Sequence, residues 1–182
     1  MSQSTVKKEL RDRLRRERTQ KFSPSNFNVI LESPEILAAS TIASYVSYGV
    51  EPSTTTINLA FLKAGKRLLL PRVNGEALEW IEWDGDETQL KVTKKLSEPI
   101  GRPVLDLNGI GAIVVPALCI DREGFRLGQG GGYYDRALSN LPGWKIGLVH
   151  ATELTREILP RENHDIALDA AATPSIIVRF QS

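Results

Sequence analysis

A glycine-rich loop near residue 130 is the part of the sequence best suited to chemistry. Gly128, Gly130, Gly131 and Gly132 fall within five residues and lead into a predicted helix that starts at Tyr133. Glycine lets the backbone approach a ligand and adopt positive φ, and free N–H groups before a helix bind anions. The spacing matches neither a P-loop nor a Gly-x-Gly-x-x-Gly dinucleotide site. We therefore predict a phosphate-binding loop. The alternative, a flexible turn, is disfavoured by the entropy that consecutive glycines cost.

The side chains beside this loop could complete a nucleotide site. Arg126 could neutralise phosphate charge through two parallel hydrogen bonds. Tyr133 and Tyr134 could stack on a flat heterocycle, or could equally pack in the core at the first turn of the helix. Asp135 could bind Mg²⁺ beside phosphates, or could interact favourably with the helix dipole.

The amino-terminal segment supplies a second group of cations. Residues 1–21 hold eight Lys or Arg and three acids, a net charge of +5, whereas the whole chain carries +1 and the remainder therefore −4. This asymmetry suggests an anionic partner.

Hydrophobic spacing predicts a helix in this basic segment. Val6, Leu10 and Leu14 recur every four residues and form a narrow apolar stripe. Lys7 and Arg11 are also four residues apart, so they share a face and could bind one anion together. A solvated basic face on a helix docked by the three aliphatic residues is the plainer interpretation.

Predicted strands and helices alternate along the chain. Strands are expected over 41–48, 67–73, 79–83, 112–115, 144–149 and 176–180, and helices over 36–39, 54–63 and 133–141. The strand over 79–83 alternates in polarity and is expected to be exposed, and residues 84–108 to be irregular. The alternation predicts a three-layer α/β/α sandwich with a largely parallel central sheet, in a single domain over residues 1–182.

Composition excludes several classes of protein. With 41% hydrophobic and 25% charged residues among 182, the chain is ordinary for a globular domain. Cys119 is the only cysteine, which excludes an internal disulfide and a multi-cysteine zinc site. The longest charge-free run, 36–50, is too short to span a membrane, and the amino terminus lacks the apolar core of a signal peptide. We expect a cytoplasmic monomer without a membrane partner.

Together these motifs resemble the 5-formyltetrahydrofolate cyclo-ligase family over nearly the whole chain. The most specific match is Arg-Leu-Gly-x-Gly-x-Gly-Tyr-Tyr-Asp, which begins at Arg126; its variable position is Gln129, where many relatives carry arginine. The other matching motifs are Lys7-x-x-x-Arg11, Glu51 after the first strand, Pro71-Arg72, Ser97-Glu98-Pro99, Val115-Pro116, Asp121-x-x-Gly124 and Asp165-x-x-x-Asp169.

The resemblance implies an enzyme that uses ATP and Mg²⁺ to convert 5-formyltetrahydrofolate to 5,10-methenyltetrahydrofolate, with release of ADP and phosphate. The implied ATP-binding residues are Lys7, Lys8, Glu9, Leu10, Arg11, Arg126, Leu127, Gly128, Gln129, Gly130, Gly131, Gly132, Tyr133 and Tyr134. The implied folate-binding residues are Val46, Glu51, Gln129, Gly130, Gly131, Gly132 and Tyr133. The implied Mg²⁺ ligands are Asp135 and Asp169, and Arg126 and Tyr133 are the implied catalytic residues.

Three other functions compete with this interpretation. A sugar-phosphate isomerase or transferase on a similar sandwich would use a glycine loop without ATP, but would not need Tyr133-Tyr134-Asp135 or the basic helix. A catalytically idle nucleotide- or folate-binding module would not need both aspartates. Nucleic-acid binding by residues 1–21 is disfavoured because such proteins usually present a basic surface across the whole domain.

Overall fold

The computed structural model describes residues 3–93 and 96–181. The helices are α1 (Gln3–Lys21), α2 (Pro34–Ala38), α3 (Thr55–Lys63) and α4 (Tyr133–Leu138). The strands are β1 (Thr41–Ala43), β2 (Arg67–Asn74), β3 (Ala77–Glu82), β4 (Leu90–Thr93), β5 (Leu96–Pro99), β6 (Ile110–Pro116), β7 (Cys119–Ile120), β8 (Arg126–Leu127), β9 (Trp144–Leu148), β10 (Ala170–Ala172) and β11 (Ile177–Arg179). Within these described ranges, no helix is both long and apolar enough to cross a membrane.

A seven-stranded sheet in the order β11-β10-β9-β6-β1-β2-β3 forms the centre of the structure. The five inner strands are parallel, and the edge strands β3 and β11 pair antiparallel to their neighbours. The middle of β6, Ala112 to Val115, is fully buried, as expected for a parallel strand that is covered on both faces.

Helices cover both faces of this sheet, which confirms the predicted three-layer α/β architecture. Successive residues of a strand point to opposite faces. Leu68 and Leu70 accordingly pack in one cluster with Phe61 of α3. Leu69, between them, packs in a second cluster with Leu138 of α4 on the other face.

The amino-terminal helix α1 packs on the small β7–β8 hairpin. Leu10 and Leu14 contact a cluster that contains Cys119 and Leu127, whereas Val6 is 36% exposed, so the predicted apolar stripe covers only part of the helix. The more deeply buried side chains of α1 are basic: Lys7 is 4% exposed and Arg18 is 5% exposed.

Two predictions about the region between β2 and β6 are wrong. The strand over 79–83 is not exposed: Trp80, Ile81 and Trp83 are buried, partly because residues 103–104 pair with this strand. Residues 84–108 are not irregular throughout, since they contain the β4–β5 hairpin. Boundaries also differ elsewhere: β1 ends at Ala43 rather than at residue 48, and α4 ends at Leu138 rather than at residue 141.

Candidate active site

A cavity of about 330 Å³ opens at the carboxyl-terminal edge of the parallel strands. In open α/β sheets, this edge is where ligands bind. The lining comes from α1, the segment after β1, the glycine loop before α4, the β4–β5 hairpin and the loop over residues 162–165. Most of the implied site residues line it: Lys7, Arg11, Val46, Glu51 and all of residues 126–135.

Four implied site residues do not line this cavity. Lys8 is exposed, Glu9 and Leu10 border a separate groove, and Leu10 packs in the cluster under α1. Asp169 directly precedes β10, and its Oδ2 accepts the N–H of Lys145 at 2.7 Å. Asp169 therefore lies at the amino-terminal edge of the sheet, which corrects the implied pairing of Asp135 with Asp169 at one magnesium site.

The glycine loop has the backbone geometry that its sequence predicts. Gly130 has φ +109° and Gly132 has φ +65°, conformations that other residues rarely adopt. A Cβ at Gly132 would also lie 2.7 Å from Nη1 of Arg136. Arg136 in turn donates from Nη2 to the carbonyl of Gly131 at 2.9 Å. The loop thus has a defined backbone shape at the entrance to α4.

Two arginines of α1 hold this loop by its carbonyls. Arg11 Nε donates to the carbonyl oxygen of Gly128 at 3.0 Å. Arg15 donates from Nη2 to the carbonyl of Gln129 at 2.7 Å and from Nε to the side-chain Oε1 of Gln129 at 3.0 Å. The helix and the loop therefore form one wall of the cavity. Arg15 was not among the predicted site residues, although it follows Arg11 by one helical turn.

Lys7 is enclosed by two carboxylates. Its Nζ lies 2.6 Å from Oδ2 of Asp165 and 2.9 Å from Oε2 of Glu162. Burial alone would lower the pKa of Lys7, but the hydrogen bonds to Asp165 and Glu162 outweigh it and raise the pKa above its ordinary value. Burial likewise opposes ionisation of Asp165, yet Lys7 holds the pKa of that carboxyl below its usual range. The site therefore keeps a charged ammonium next to charged carboxylates.

Arg126 and Asp135 form a second ion pair inside the cavity. Nη2 of Arg126 lies 2.9 Å from Oδ1 of Asp135, and the arginine side chain is almost fully buried. Nη1 of Arg126 donates to the carbonyl of Ile166 at 3.4 Å, whereas its Nε is buried without a hydrogen-bond partner among the described residues. The guanidinium thus places a positive charge next to Asp135 at the wall of the cavity.

The two tyrosines after the glycines differ in surroundings. The ring of Tyr134 meets Trp80 edge to face, with centroids 6.5 Å apart, and burial raises the pKa of its hydroxyl well above the ordinary value. This residue belongs mainly to the core. Tyr133 stacks instead against the guanidinium of Arg136, whose Cζ lies 5.2 Å from the ring centroid, and it remains partly exposed in the cavity.

Glu51 adds a further carboxylate to the lining of the cavity, in the turn after β1. Its Oε2 accepts the N–H of Tyr48 at 3.2 Å. Burial raises the pKa of Glu51 to about 7, against the opposing effects of the Tyr48 N–H, Arg18 and Gln129. Val46 lines the same region. This half of the cavity thus offers a hydrogen-bond acceptor beside an apolar wall.

Other cavity residues appear only in the structure. Glu162, His164 and Asp165 each place one ligand atom within 4.8 Å of the others, and all three line the cavity. Asp165 belongs to the family motif Asp165-x-x-x-Asp169, but only Asp169 of that motif was predicted to bind the metal. The hairpin residues 96–98 also line the cavity, in a region predicted to be irregular.

Comparison with known protein families gives one match that covers most of the chain. The model of the 5-formyltetrahydrofolate cyclo-ligase family matches residues 3–174. A 5-formyltetrahydrofolate cyclo-ligase from Escherichia coli (strain K12) is 33% identical over 150 residues, which cover 78% of this chain and 82% of that protein. One from Mycolicibacterium smegmatis is 33% identical over 147 residues, which cover 76% of this chain and 75% of that protein.

Solved structures with the same architecture are also known. The NMR structure of 5,10-methenyltetrahydrofolate synthetase from Aquifex aeolicus matches with a TM-score of 0.83 and 28% identity, over 97% of this chain and 94% of that chain. A 5,10-methenyltetrahydrofolate synthetase from Mycoplasma pneumoniae matches with a TM-score of 0.68 over 91% of this chain and 96% of that chain; at 21% identity, this second match supports the fold alone.

Proposed function

The chain belongs to the 5-formyltetrahydrofolate cyclo-ligase family and is a ligase, and we propose that it uses ATP and Mg²⁺ to convert 5-formyltetrahydrofolate to 5,10-methenyltetrahydrofolate with release of ADP and phosphate. The observation that carries the proposal is that one cavity is lined by a glycine loop, by the buried cations Lys7 and Arg126 and by the partly buried carboxylate of Glu51. Such a cavity can hold a polyphosphate and a donor-rich heterocycle next to each other.

The phosphate half of the site is built from α1 and the glycine loop. Lys7, Arg11 and Arg126 supply positive charge, and the backbone N–H groups over 128–132 are available as further donors. Arg126 lines the cavity with its guanidinium held against Asp135, so its charge lies beside a carboxylate of the same site. Arg11 acts at least partly by shaping the loop, since its Nε already donates to Gly128.

The folate half of the site is built around Glu51. The edge of a pterin carries several N–H donors, and a carboxylate that is held in a partly buried position recognises them strongly. Val46 and Tyr133 line the same cavity and offer surfaces for packing against flat rings. We assign Tyr134 to the core beneath the site rather than to direct stacking, because its ring packs against Trp80.

The residues present suit a magnesium ion, since Mg²⁺ prefers oxygen ligands and carboxylates together with phosphate. Asp135 and Asp165 are carboxylates that line the cavity, and they would hold the ion in place of the implied Asp135–Asp169 pair. When bound, the ion would neutralise charge on the phosphates. The protein's own cations, Arg126 and Lys7, already pair with these carboxylates and so stand beside the same position.

The chemistry that we propose needs alignment more than covalent help. A formamide oxygen is a poor leaving group, so transfer of the γ-phosphoryl group to it creates an imidate phosphate. The second folate nitrogen then attacks the activated carbon within the same molecule, the ring closes, and phosphate departs with the former formyl oxygen. Cations and backbone donors around the phosphates stabilise the charge that moves, and the cavity holds the two substrates in contact.

The test is turnover with the three components. The purified protein is mixed with ATP, Mg²⁺ and 5-formyltetrahydrofolate, the absorbance of 5,10-methenyltetrahydrofolate is followed, and the nucleotide products are separated. We expect activity only when all three are present, with one ADP formed for each ring closed. Formation of AMP and pyrophosphate would refute phosphorylation of the formyl oxygen by the γ-phosphoryl group.

A further inference from the structure

The segment over residues 159–168, which we call the carboxylate loop, carries the acidic groups that enclose Lys7. The structure describes all of its residues, and none of them belongs to a helix or strand. Glu162 and Asp165 nevertheless place their oxygens 2.9 and 2.6 Å from Nζ of Lys7. Because a segment of this kind lacks the regular hydrogen bonds of a helix or sheet, contacts with other segments must fix its position.

Asp121 holds the start of the carboxylate loop. The residue is fully buried, and its side chain accepts hydrogen bonds on both oxygens. Oδ1 accepts the N–H groups of Glu123 and Phe125, at 2.9 and 3.0 Å, and so shapes the turn after β7. Oδ2 accepts the N–H of Leu159 and Nη2 of Arg161, both at 3.1 Å. One oxygen therefore serves the turn and the other serves the loop.

Gly124 holds the end of the same loop. Its carbonyl oxygen accepts the N–H of Leu168 at 2.9 Å. A Cβ at residue 124 would lie 2.6 Å from the carbonyl oxygen of Leu168 and 2.8 Å from the ring of Phe180, and φ of Gly124 is +84°. Glycine alone allows this approach without strain. The motif Asp121-x-x-Gly124 thus holds both ends of the carboxylate loop on one turn.

We propose that Asp121 is a positioning residue for nucleotide binding: it holds the carboxylate loop so that Glu162 and Asp165 stay around Lys7, at the proposed site of ATP and Mg²⁺. The inference rests on the proposed function, because Lys7 and Asp165 are assigned there to ATP and Mg²⁺. Asp121 is not among the described residues that line the cavity, so it acts through the loop rather than on a substrate. The motif that contains it thereby gains a role in the site.

Displacement of the carboxylate loop should affect the free nucleotide and its magnesium complex differently. Without the metal, the carboxylates of Glu162 and Asp165 compete with phosphate for Lys7, so their displacement should not weaken nucleotide binding. With Mg²⁺ present, Asp165 would be one of the ligands of the ion, so its displacement removes an attraction. The position of the loop should therefore matter mainly for the part of nucleotide binding that depends on Mg²⁺.

The main variant is Asp121→Asn, which keeps one acceptor oxygen for the turn but replaces the acceptor that faces Leu159 by an amide nitrogen, which can only donate. Calorimetry gives the Kd of a non-hydrolysable ATP analogue with and without Mg²⁺, and the Kd of 5-formyltetrahydrofolate. We expect binding of the analogue with Mg²⁺ to weaken about five- to tenfold, and the other two Kd values to change less than about twofold. Hydrogen exchange should become at least about tenfold faster at the amides of Leu159 and Glu162, but not in β6.

Arg161→Gln is a milder variant, which tests the same contact if Asp121→Asn does not fold. Arg161 pairs with Asp121 at 3.1 Å and with Glu123 at 2.8 Å, and its guanidinium lies 3.9 Å from the ring centroid of Phe125. Glutamine removes the charge that faces Asp121 and leaves the Asp121 carboxylate itself in place. We expect the gain in analogue binding from Mg²⁺ to fall about threefold, and Arg161→Lys to recover part of that gain.

Arg179→Gln is the matched control for Arg161→Gln. Arg179 also pairs with an acid, Glu35, at 2.9 Å, and its Cζ lies 5.8 Å from the ring centroid of Trp144. This arginine is in the edge strand β11 and is not among the described residues that line the cavity. The control should bind the analogue and 5-formyltetrahydrofolate as the wild type does, with and without Mg²⁺.

The outcomes separate this inference from the proposed function. If the wild-type protein turns over but the folded variants keep the full gain from Mg²⁺, or weaken analogue and folate binding equally, the positioning role is refuted and the proposed function stands. Unchanged hydrogen exchange at Leu159 in Asp121→Asn, or no gain from Mg²⁺ in the wild type, would refute the positioning role as well. If the wild-type protein neither binds 5-formyltetrahydrofolate nor turns it over, the proposed function itself fails.

Discussion

Nζ of Lys7 lies 2.6 Å from Oδ2 of Asp165, so the amino-terminal helix and a loop near the end of the chain meet at the candidate phosphate site. Glu162 completes the enclosure at 2.9 Å. Because the ammonium is already neutralised by carboxylates, a phosphate group must compete with them for Lys7. A phosphate group that binds Lys7 would therefore also lie close to the carboxylates of Asp165 and Glu162.

Replacement of the basic pair should weaken ATP binding selectively. Lys7→Ala/Arg11→Ala removes a buried cation and the donor that holds Gly128, so we expect the KM for ATP to rise about tenfold or more and the KM for 5-formyltetrahydrofolate to change less. Arg13→Ala/Arg16→Ala is the charge-matched control, since both side chains are exposed. If Arg13→Ala/Arg16→Ala raises the KM for ATP by the same factor, the effect comes from the overall positive charge of α1 rather than from specific contacts of Lys7 and Arg11.

Substitution of Asp135 and of Asp169, the two metal ligands predicted from the sequence, should have different effects on activity. Asp135→Asn removes the charge from a carboxylate that lines the cavity, so turnover should fall sharply and its Mg²⁺ dependence should weaken while the protein stays folded. Asp169→Asn should retain both, because Asp169 contacts the N–H of Lys145 at the other edge of the sheet. Steady-state rates of both variants, measured over a range of Mg²⁺ concentrations, test these two expectations. Loss of Mg²⁺ dependence in Asp169→Asn would restore the original assignment.

The pair Arg18–Glu153 should make a large contribution to stability. Arg18 donates from Nε and Nη2 to both carboxylate oxygens of Glu153 at 2.6 Å, and both side chains are buried. Glu153→Gln leaves the guanidinium buried without its counter-charge, which should lower the free energy of unfolding by about 3 kcal/mol. Thermal unfolding measures this.

An exposed ion pair provides the control for that variant. Arg67 and Glu82 lie 2.8 Å apart on neighbouring strands, with both side chains open to water. Glu82→Gln should therefore leave the melting temperature almost unchanged. Equal effects of the two substitutions would mean that burial of Arg18 and Glu153 is not what makes their contact important.

The sequence predicted those parts of the site that are local in the chain. The glycine loop, Tyr133 and Asp135 lie within a few residues of each other, so their spacing alone indicates a phosphate site. The central parallel sheet was predictable in part for the same reason, because β6 and the start of β2 contain continuous apolar runs, whereas the three-residue strand β10 was not predicted.

Contacts between distant segments could not be predicted in this way. Lys7 and Asp165 are separated by 158 residues, and Arg18 and Glu153 by 135. Periodicity marks Lys7 and Arg18 as polar positions of a surface helix, whereas the loops that bury them become known only when the chain is folded. Trp80 was predicted on an exposed strand for a similar reason, since nothing local shows that Val104 pairs with it.

Glu51 provides a final prediction, in which function and stability oppose each other. Burial raises its pKa to about 7 from 4.5, so the folded protein holds this proton more tightly than the unfolded chain does. Below about pH 4.5 both states are protonated and Glu51 has no effect on stability. As the pH rises toward 7 the unfolded chain ionises first, and above 7 the folded state is destabilised by the full amount.

Glu51→Gln should therefore stabilise the free protein at pH 8 by roughly 1 to 3 kcal/mol, and this gain should disappear as the pH falls toward 4.5. The same substitution removes the carboxylate that accepts from the pterin, so binding of 5-formyltetrahydrofolate should weaken at least tenfold. In the wild type, kcat/KM for folate should fall as the pH drops through about 7, while the KM for ATP changes less. Melting temperatures and pH–rate profiles measure both effects. A variant that is no more stable at pH 8 than the wild type, or that binds folate equally well, would contradict the assignment of Glu51.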